Sequence, residues 1–321
     1  MADAARSTAV VTGGAGFIGS ELVRQLAARG DRVVAIDNLV NGKRENLADV
    51  LSDRVVLLEK DIRDLDAVTP HLRDARVVYH LACLGVRHSV HSPRENHHVN
   101  ATATLDLLGA SRDAGVPRFV YVSSSEVYGT ARWAPMTEEH PTSPHTVYGG
   151  SKLAGECYAR AYHVSYGYPT VVVRPFNTYG PFQRSVGEGG VVAIFTRRSL
   201  LGEGLRIYGD GTQTRDLLYV GDCARFVVDA LISDAAVGRV LNAGTGADVS
   251  VNDLAAAIEP DPARIAHVEH IHPQSEIAVL RCDPGLAREL LGWIPTVTLD
   301  DGLARVRTWM ADRMALGIEV Q

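Results

Sequence analysis

The stretch Ala9-Val10-Val11-Thr12-Gly13-Gly14-Ala15-Gly16-Phe17-Ile18-Gly19-Ser20 decides the fold. A β-branched apolar run that ends in glycines and opens into the amphipathic Glu21-Leu22-Val23-Arg24-Gln25-Leu26 predicts strand, tight turn and helix. A helix N-terminus presents unpaired N–H groups and positive potential, so a pyrophosphate fits there if no side chain blocks it. Gly13, Gly16 and Gly19 supply the turn, the close backbone approach and the helix-to-strand packing. Glycine-rich turns alone are common. The context makes this one a dinucleotide site: a second apolar run, Arg32-Val33-Val34-Ala35-Ile36, ends at Asp37, where a carboxylate accepts both ribose hydroxyls. The same carboxylate repels a 2′-phosphate, so the cofactor this pattern calls for is NAD rather than NADP.

Further apolar runs at 55–58, 77–81, 118–123 and 170–174 alternate with helical patterns. Such alternation predicts an α/β fold with a doubly wound parallel sheet. Ligands in these sheets lie beyond the carboxyl ends of the strands, which directs attention to Asp61, Ala82, the segment 123–126 and the segment 175–177. After residue 175 the chain turns to glycine-rich loops, at Gly180-Pro181, 187–190 and 209–211, as expected of a smaller lobe over the sheet. The run 238–246 reads as one more strand with a glycine turn. The expected organisation is a dinucleotide-binding domain over 1–175, rejoined by about 216–246, and a smaller C-terminal α/β lobe over 176–321.

Bulk properties narrow the function. The chain has 321 residues, 46% hydrophobic, enough for a large core and against disorder. Its net charge of -6, with Lys and Arg dispersed, offers no footprint for nucleic acid. Cys83, Cys157, Cys223 and Cys282 are far apart without metal or redox spacing, which suits buried thiols in a reducing cytosol. No signal-peptide core or bilayer-length apolar run is present, so a soluble cytoplasmic protein is expected. His267, Glu269, His270 and His272 form a histidine-rich cluster, read as a surface strand rather than a metal site.

Tyr148 and Lys152 in Tyr148-Gly149-Gly150-Ser151-Lys152 fall on one face of a helix. A tyrosine hydroxyl, with a reference pKa of about 10, is a poor base, and an adjacent ammonium favours its phenolate. The lysine can also hold a nicotinamide ribose. Ser123-Ser124-Ser125-Glu126-Val127-Tyr128-Gly129 ends another strand, where a hydroxyl can relay a proton to Tyr148.

These segments, with Asp37-Asn38-Leu39, His80-Leu81-Ala82, the run 174–181 from Arg174 to Pro181, Gly209-Asp210-Gly211-Thr212-Gln213-Thr214-Arg215-Asp216 and Leu290-Leu291-Gly292-Trp293, resemble the extended short-chain dehydrogenases/reductases that act on nucleotide sugars. The resemblance implies a tightly held NAD and oxidation of a UDP- or dTDP-sugar at C4. The outcome is then epimerisation, loss of water, decarboxylation of UDP-glucuronate, or release of the ketone. It places the catalytic hydroxyl on Ser124, the base on Tyr148 and the helper on Lys152, with Glu126 beside them. Cofactor positions fall on Gly13, Gly16, Phe17, Ile18, Gly19, Asp37, Asn38, Asp61, Ile62, Leu81 and Ala82, with Tyr148 and Lys152. Nucleotide-sugar positions fall on Arg87, Ser124, Ser125, Asn177, Arg184, Val191, Tyr208 and Arg215. Within these, Asn177 lies near the diphosphate, Tyr208 beside the uracil and Arg215 on a phosphate; a surface ion pair Arg215-Asp216 is the bland alternative.

Two departures bear on the reaction. The resembled 4,6-dehydratases carry Asp-Glu where this chain has Ser125-Glu126, which disfavours 4,6-dehydration and leaves Glu126 compatible with a decarboxylase or a 5,6-dehydratase. The segments 85–89 and 181–184 resemble UDP-glucuronate 4-epimerases, in which the position of Arg184 meets the sugar carboxylate in a loop. A second phosphate-binding Arg of the family is replaced by the segment 272–276, leaving His272, Arg281 or Arg215 alone to serve. The reading that follows is an NAD-dependent UDP-sugar 4-epimerase, an isomerase for UDP-glucuronate or UDP-glucose, that pairs as a homodimer through the Tyr148 helix and the helix over 100–114. A decarboxylase or dehydratase is the alternative, and a non-catalytic NAD-binding sensor a more distant one.

Overall fold

The computed structural model describes residues 8–187, 189–270, 277–318 and 320. Its first part runs β1 (Thr8–Thr12), α1 (Phe17–Ala28), β2 (Arg32–Asp37), β3 (Val55–Glu59), α2 (Leu65–Leu72), β4 (Ala75–His80), α3 (Val86–His91), α4 (Pro93–His97), α5 (Ala103–Asp113), β5 (Phe119–Val122), α6 (Val147–Tyr166) and β6 (Thr170–Pro175). Then follow β7 (Asn177–Tyr179), α7 (Val191–Leu200), β8 (Leu205–Tyr208), β9 (Thr214–Arg215), β10 (Leu217–Tyr219), α8 (Val220–Ile232) and β11 (Val240–Ala243). The chain closes with β12 (Val249–Ser250), α9 (Val251–Ile258), β13 (Ile265–Val268), β14 (Val279–Leu280), α10 (Gly285–Leu291) and α11 (Leu299–Ala315).

A seven-stranded parallel sheet in the order β11-β6-β5-β4-β1-β2-β3 forms the centre of a Rossmann-like α/β fold. Its strands are β-branched on both faces because helices cover both, and two apolar clusters result. One cluster holds α1 and α8; Ala287 and Trp293, from the end of the chain, also pack there. The other holds α5 together with Ala159 of α6. A third cluster, around Phe195, Ile207, Leu254 and Met310, belongs to the small lobe. The strand order changes direction between β1 and β4, and it is there, beyond the carboxyl ends, that such sheets leave a crevice.

Three local expectations are corrected. The segment 85–89 is the start of a helix, α3, with Gly85 as its N-cap, rather than a loop. The helix expected over 100–114 opens with a π-helical turn at His98–Thr102, whose Asn100 side chain bonds the Leu84 backbone and Ser151 Oγ, so buried polar partners shape its start. Cys223 and Cys282 are buried, but Cys83 is half-buried and Cys157 exposed on α6. No helix among the described residues is long and apolar enough to cross a membrane, and those residues hold no His/Cys/Asp/Glu group with metal-binding geometry. His272 lies outside the described residues; His267 bonds Asn252 Oδ1 at 2.9 Å.

His80, at the end of β4, is fully enclosed between Thr12 Oγ1 at 2.7 Å and Thr104 Oγ1 at 2.8 Å. Burial, with the nearby Lys152 charge, pushes its pKa down to about 3, so it is neutral in the folded chain at physiological pH. The unfolded chain then binds the extra proton, and stability fully present above the ordinary histidine pKa is lost as pH falls towards 3. Between pH 7 and 5 the wild type should lose about 2 kcal/mol more than His80→Gln, measured by urea unfolding at both pH values. Equal slopes would remove His80 from the acid sensitivity.

Candidate active site

The crevice is a cavity of about 640 Å³ that runs from the glycine turn to the start of α6. Gly13 has φ 71°, and a Cβ there would lie 2.7 Å from Ala82 N, so the turn before α1 admits only glycine. A Cβ on Gly19 would strike Gly13 O at 2.0 Å, which is what lets α1 start against β1. Gly16, the N-cap of α1, offers no side-chain cap, and the first-turn N–H groups stay available to a ligand. At the end of β2, Asp37 lines the cavity and accepts Leu39 N at 2.9 Å and Ala15 N at 3.0 Å. Burial raises its pKa against these backbone donors. Further along the same end, Asp61 is gripped by Arg63 Nε at 2.8 Å and Nη2 at 2.7 Å, and by Asn38 Nδ2 at 2.8 Å, which hold its carboxyl well below the usual range despite partial burial.

The opposite end carries Ser124, Glu126, Tyr148 and Lys152. Ser124 Oγ accepts Glu126 N at 3.2 Å, capping a short 3-10 turn over Ser125–Val127 and leaving its O–H to donate. Helix α6 begins at Val147, capped by Thr146 Oγ1 from Gly149 N at 3.0 Å. A Cβ on Gly149 would come within 2.9 Å of Glu126 O, so this glycine lets the start of the helix rest on the serine turn. Lys152, one turn on and fully buried, donates to Val122 O at 2.6 Å, and burial lowers its pKa. Tyr148, Lys152, Ser124, Ser125 and Glu126 all line the one cavity.

The sequence-expected cofactor positions Gly13, Gly16, Phe17, Ile18, Gly19, Asp37, Asn38, Asp61, Ile62, Leu81 and Ala82 line it as well, as do Arg87, Asn177 and Arg184. Val191, Tyr208 and Arg215 do not. Val191 starts α7, Tyr208 stands 43% exposed at the end of β8, and Arg215 Nη1 donates to Thr214 O at 2.8 Å and Ile277 O at 2.7 Å. The surface pair Arg215-Asp216 is not formed: Asp216 is buried and accepts Thr245 N, Thr245 Oγ1, Gly246 N and Cys282 N. Arg184, which lines the cavity, meets Asn41 Oδ1 through its Nη1 at 3.1 Å, in the loop that follows Asp37. Arg281 Nη1 lies 3.8 Å from Asp248, and its Nε is buried without a partner among the described residues.

In sequence Ser123 is marked only as part of the serine run. Its Oγ, like Asn177 Oδ1, is buried against the cavity with no hydrogen-bond partner among the described residues. A dinucleotide fits this lining: a glycine cradle that a Cβ would fill, a carboxylate at the end of β2, and two polar atoms unpaired among the described residues for the ligand to satisfy. Replacing Asp37 with Ala should abolish the preference for NAD over NADP, measured by titrating both into wild type and variant. A wild type that binds NADP more tightly than NAD would overturn the role of Asp37.

A doubly wound sheet with this glycine turn, and a Ser124, Tyr148 and Lys152 cluster at the far end of one cavity, defines an extended short-chain dehydrogenase/reductase of the nucleotide-sugar type. The chain belongs to the NAD dependent epimerase/dehydratase family, whose profile it matches over residues 9–244, and its cofactor is NAD. A UDP-glucose 4-epimerase of Mycolicibacterium smegmatis is 39% identical over 305 residues, covering 92% of this chain and 96% of that protein. Among solved structures, Pal from Bacillus thuringiensis shares 41% identity with a TM-score of 0.91, covering 95% of this chain and 99% of that one. The UDP-glucose 4-epimerase of Thermotoga maritima with UDP-glucose shares 33% identity with a TM-score of 0.89, covering 96% and 99%. UDP-glucuronic acid decarboxylases and dTDP-glucose 4,6-dehydratases are also similar to it.

Proposed function

We propose that this enzyme epimerises a UDP-hexose at C4, with UDP-glucose as first substrate and UDP-glucuronate as second. One observation carries the choice among outcomes. The described carboxylates lining the cavity are Asp37, Asp61 and Glu126, and Asp37 and Asp61 are committed at the end that receives the adenosine. Among the described residues Glu126 is thus the single carboxylate at the reacting end, and Ser125 stands where an elimination would need an acid for the departing hydroxyl. Bound NAD supplies the reversible hydride acceptor that inversion at C4 requires. Tyr148 takes the proton of the 4-hydroxyl while the Ser124 O–H supports the same oxygen. The Lys152 ammonium favours the phenolate form of Tyr148. Tyr208 and Arg215, on the small lobe, would anchor the base and a phosphate while the sugar turns.

Glu126 favours a second reading, decarboxylation of UDP-glucuronate, for which a single carboxylate suffices; several relatives bear that name. Incubation with UDP-glucose, UDP-glucuronate, UDP-N-acetylglucosamine and dTDP-glucose, followed by NMR, separates the outcomes. A 4-epimer supports the proposal, whereas a pentose, or an unsaturated or 4-keto sugar, replaces it. Glu126→Gln should retain substantial epimerisation, because no C5 proton has to leave. Reduced cofactor accumulating in that variant without product would end the epimerase reading.

The chain is proposed to act as a homodimer through α5 and α6 in the cytoplasm. Supporting the pairing, α5 packs on α6, where a Cβ on Gly109 would lie 3.3 Å from Tyr162 OH, and Val164 and Tyr166 of α6 stand 83% and 59% exposed. Light scattering at micromolar concentration should give twice the chain mass, and a monomer would reject the interface.

A further inference from the structure

We propose that Arg184 is a latch on the pyrophosphate of the dinucleotide, closing the cofactor end of the cavity and slowing NAD release. The assignment concerns the cofactor alone and holds for any of the sugar reactions considered above.

The position of the guanidinium follows from the loop it touches. Directly after Asn41, a Cβ on Gly42 would lie 2.8 Å from both Ala15 C and Asp37 Oδ2. Lys43 N and Asn46 Nδ2 both donate to Ala15 O, at 3.1 Å and 2.9 Å. The segment 41–46 is therefore folded down on the glycine turn, and Arg184, bonded to Asn41, stands at that turn. Asn41 is neutral and is the one hydrogen-bond partner of Arg184 among the described residues, with no carboxylate in an ion pair. A half-buried guanidinium with no counter-ion among the described residues, beside a turn whose N–H groups are left for an anion, calls for a diphosphate.

The strap that carries Arg184 is fastened on both sides. Phe182, at φ 67°, is held in a left-handed conformation that a bulky side chain rarely adopts. Its ring is covered by Arg24 of α1 at 4.4 Å and set edge-on to Trp309 of α11 at 5.0 Å. Gln183 Nε2 donates to Thr178 O at 2.9 Å, and Ser185 Oγ donates to Val320 O at 3.0 Å. Phe182, Gln183 and Arg184 line the same cavity as Gly13 and Gly16. The strap thus runs from the small lobe across the cofactor end, and Arg184 is the cation it delivers there. Of the other cations lining the cavity, Lys152 is bound to Val122 O at the far end, Arg87 sits on α3 and Lys60 follows β3 beside Asp64.

The test follows release of labelled NAD from the intact, loaded protein after a chase with unlabelled NAD. Arg184→Ala should release it about 10–100-fold faster, the loss of a charge-assisted partner of the pyrophosphate. Arg184→Lys, which keeps the charge but not the fork, should fall between, and added salt should narrow the gap between wild type and Ala. UDP-glucuronate binding, titrated on the NAD-loaded proteins, should stay within a few-fold. Release at the wild-type rate in Arg184→Ala and Arg184→Gln overturns the latch. Unchanged release with selective loss of UDP-glucuronate binding would return Arg184 to the sugar carboxylate. Where the alanine chain fails to fold, the Lys and Gln variants supply the comparison. A product other than the 4-epimer would defeat the proposed reaction and leave this result standing.

Discussion

Replacing Tyr148 with Phe should lower turnover by about 10³–10⁴-fold while the fold and the bound NAD persist. In the proposed reaction the phenolate of Tyr148 takes the proton, and the loss of one oxygen changes little packing at the first turn of α6. Lys152 keeps its bond to Val122 O at the reacting end, and the glycine turn and Asp37 at the cofactor end are untouched. Steady-state turnover, with circular dichroism and the NAD content of the purified variant, tests this directly. Full activity would remove Tyr148 from the chemistry. Ser124→Ala should cost less, on the order of 10²-fold, as expected of a hydroxyl that supports the same proton transfer.

The largest effect on stability should come from Glu156. Its carboxylate, on α6, meets Arg174 of β6 in a two-pronged pair at 2.9 Å and 2.6 Å, with side chains 1% and 5% exposed. Glu156→Gln leaves a guanidinium buried without its charge partner and should destabilise the chain by about 3–5 kcal/mol, read from urea unfolding. Restoring an apolar pair, Glu156→Leu with Arg174→Met, should recover much of the loss. A Glu156→Gln protein as stable as wild type would show that water reaches the pair. The guanidinium also lies 4.7 Å from the ring of Tyr128, at the end of the serine turn, and Tyr128 OH donates to Asn242 Oδ1 at 2.7 Å. Damage to the pair should therefore reach the site as well as the core.

Much of this molecule is written locally. The glycine pattern from Gly13 to Gly19 is legible because sterics at a turn and at a helix start act over a few residues, and the structure uses Gly13 and Gly19 for those contacts. Alternating apolar runs place β1 to β6 nearly where the sequence puts them, since a parallel sheet covered on both faces demands continuous apolar strands. Tyr148 and Lys152 share a face by helical geometry alone. The family resemblance adds roles for these residues, and the cavity collects them.

Long side chains and long-range partners were decided only by the tertiary structure. Arg184 lies 143 residues from Asn41 in sequence, and nothing in the local motif chooses that partner over a sugar carboxylate. Asp216, beside Arg215, looks like half of a surface pair, yet it takes four hydrogen bonds from Thr245, Gly246 and Cys282 and is buried. Arg174 and Glu156 carry no sequence signal for each other, because a bond between a strand and the helix before it depends on how closely they pack. The sequence by itself determined the sheet, the dinucleotide turn and the shared face of Tyr148 and Lys152, all governed by short-range sterics and helical or strand period, while Ser124 joins them through the family resemblance. The tertiary structure alone decided where each flexible charged side chain ends, because a guanidinium or carboxylate takes whichever partner the packed elements bring within hydrogen-bond reach.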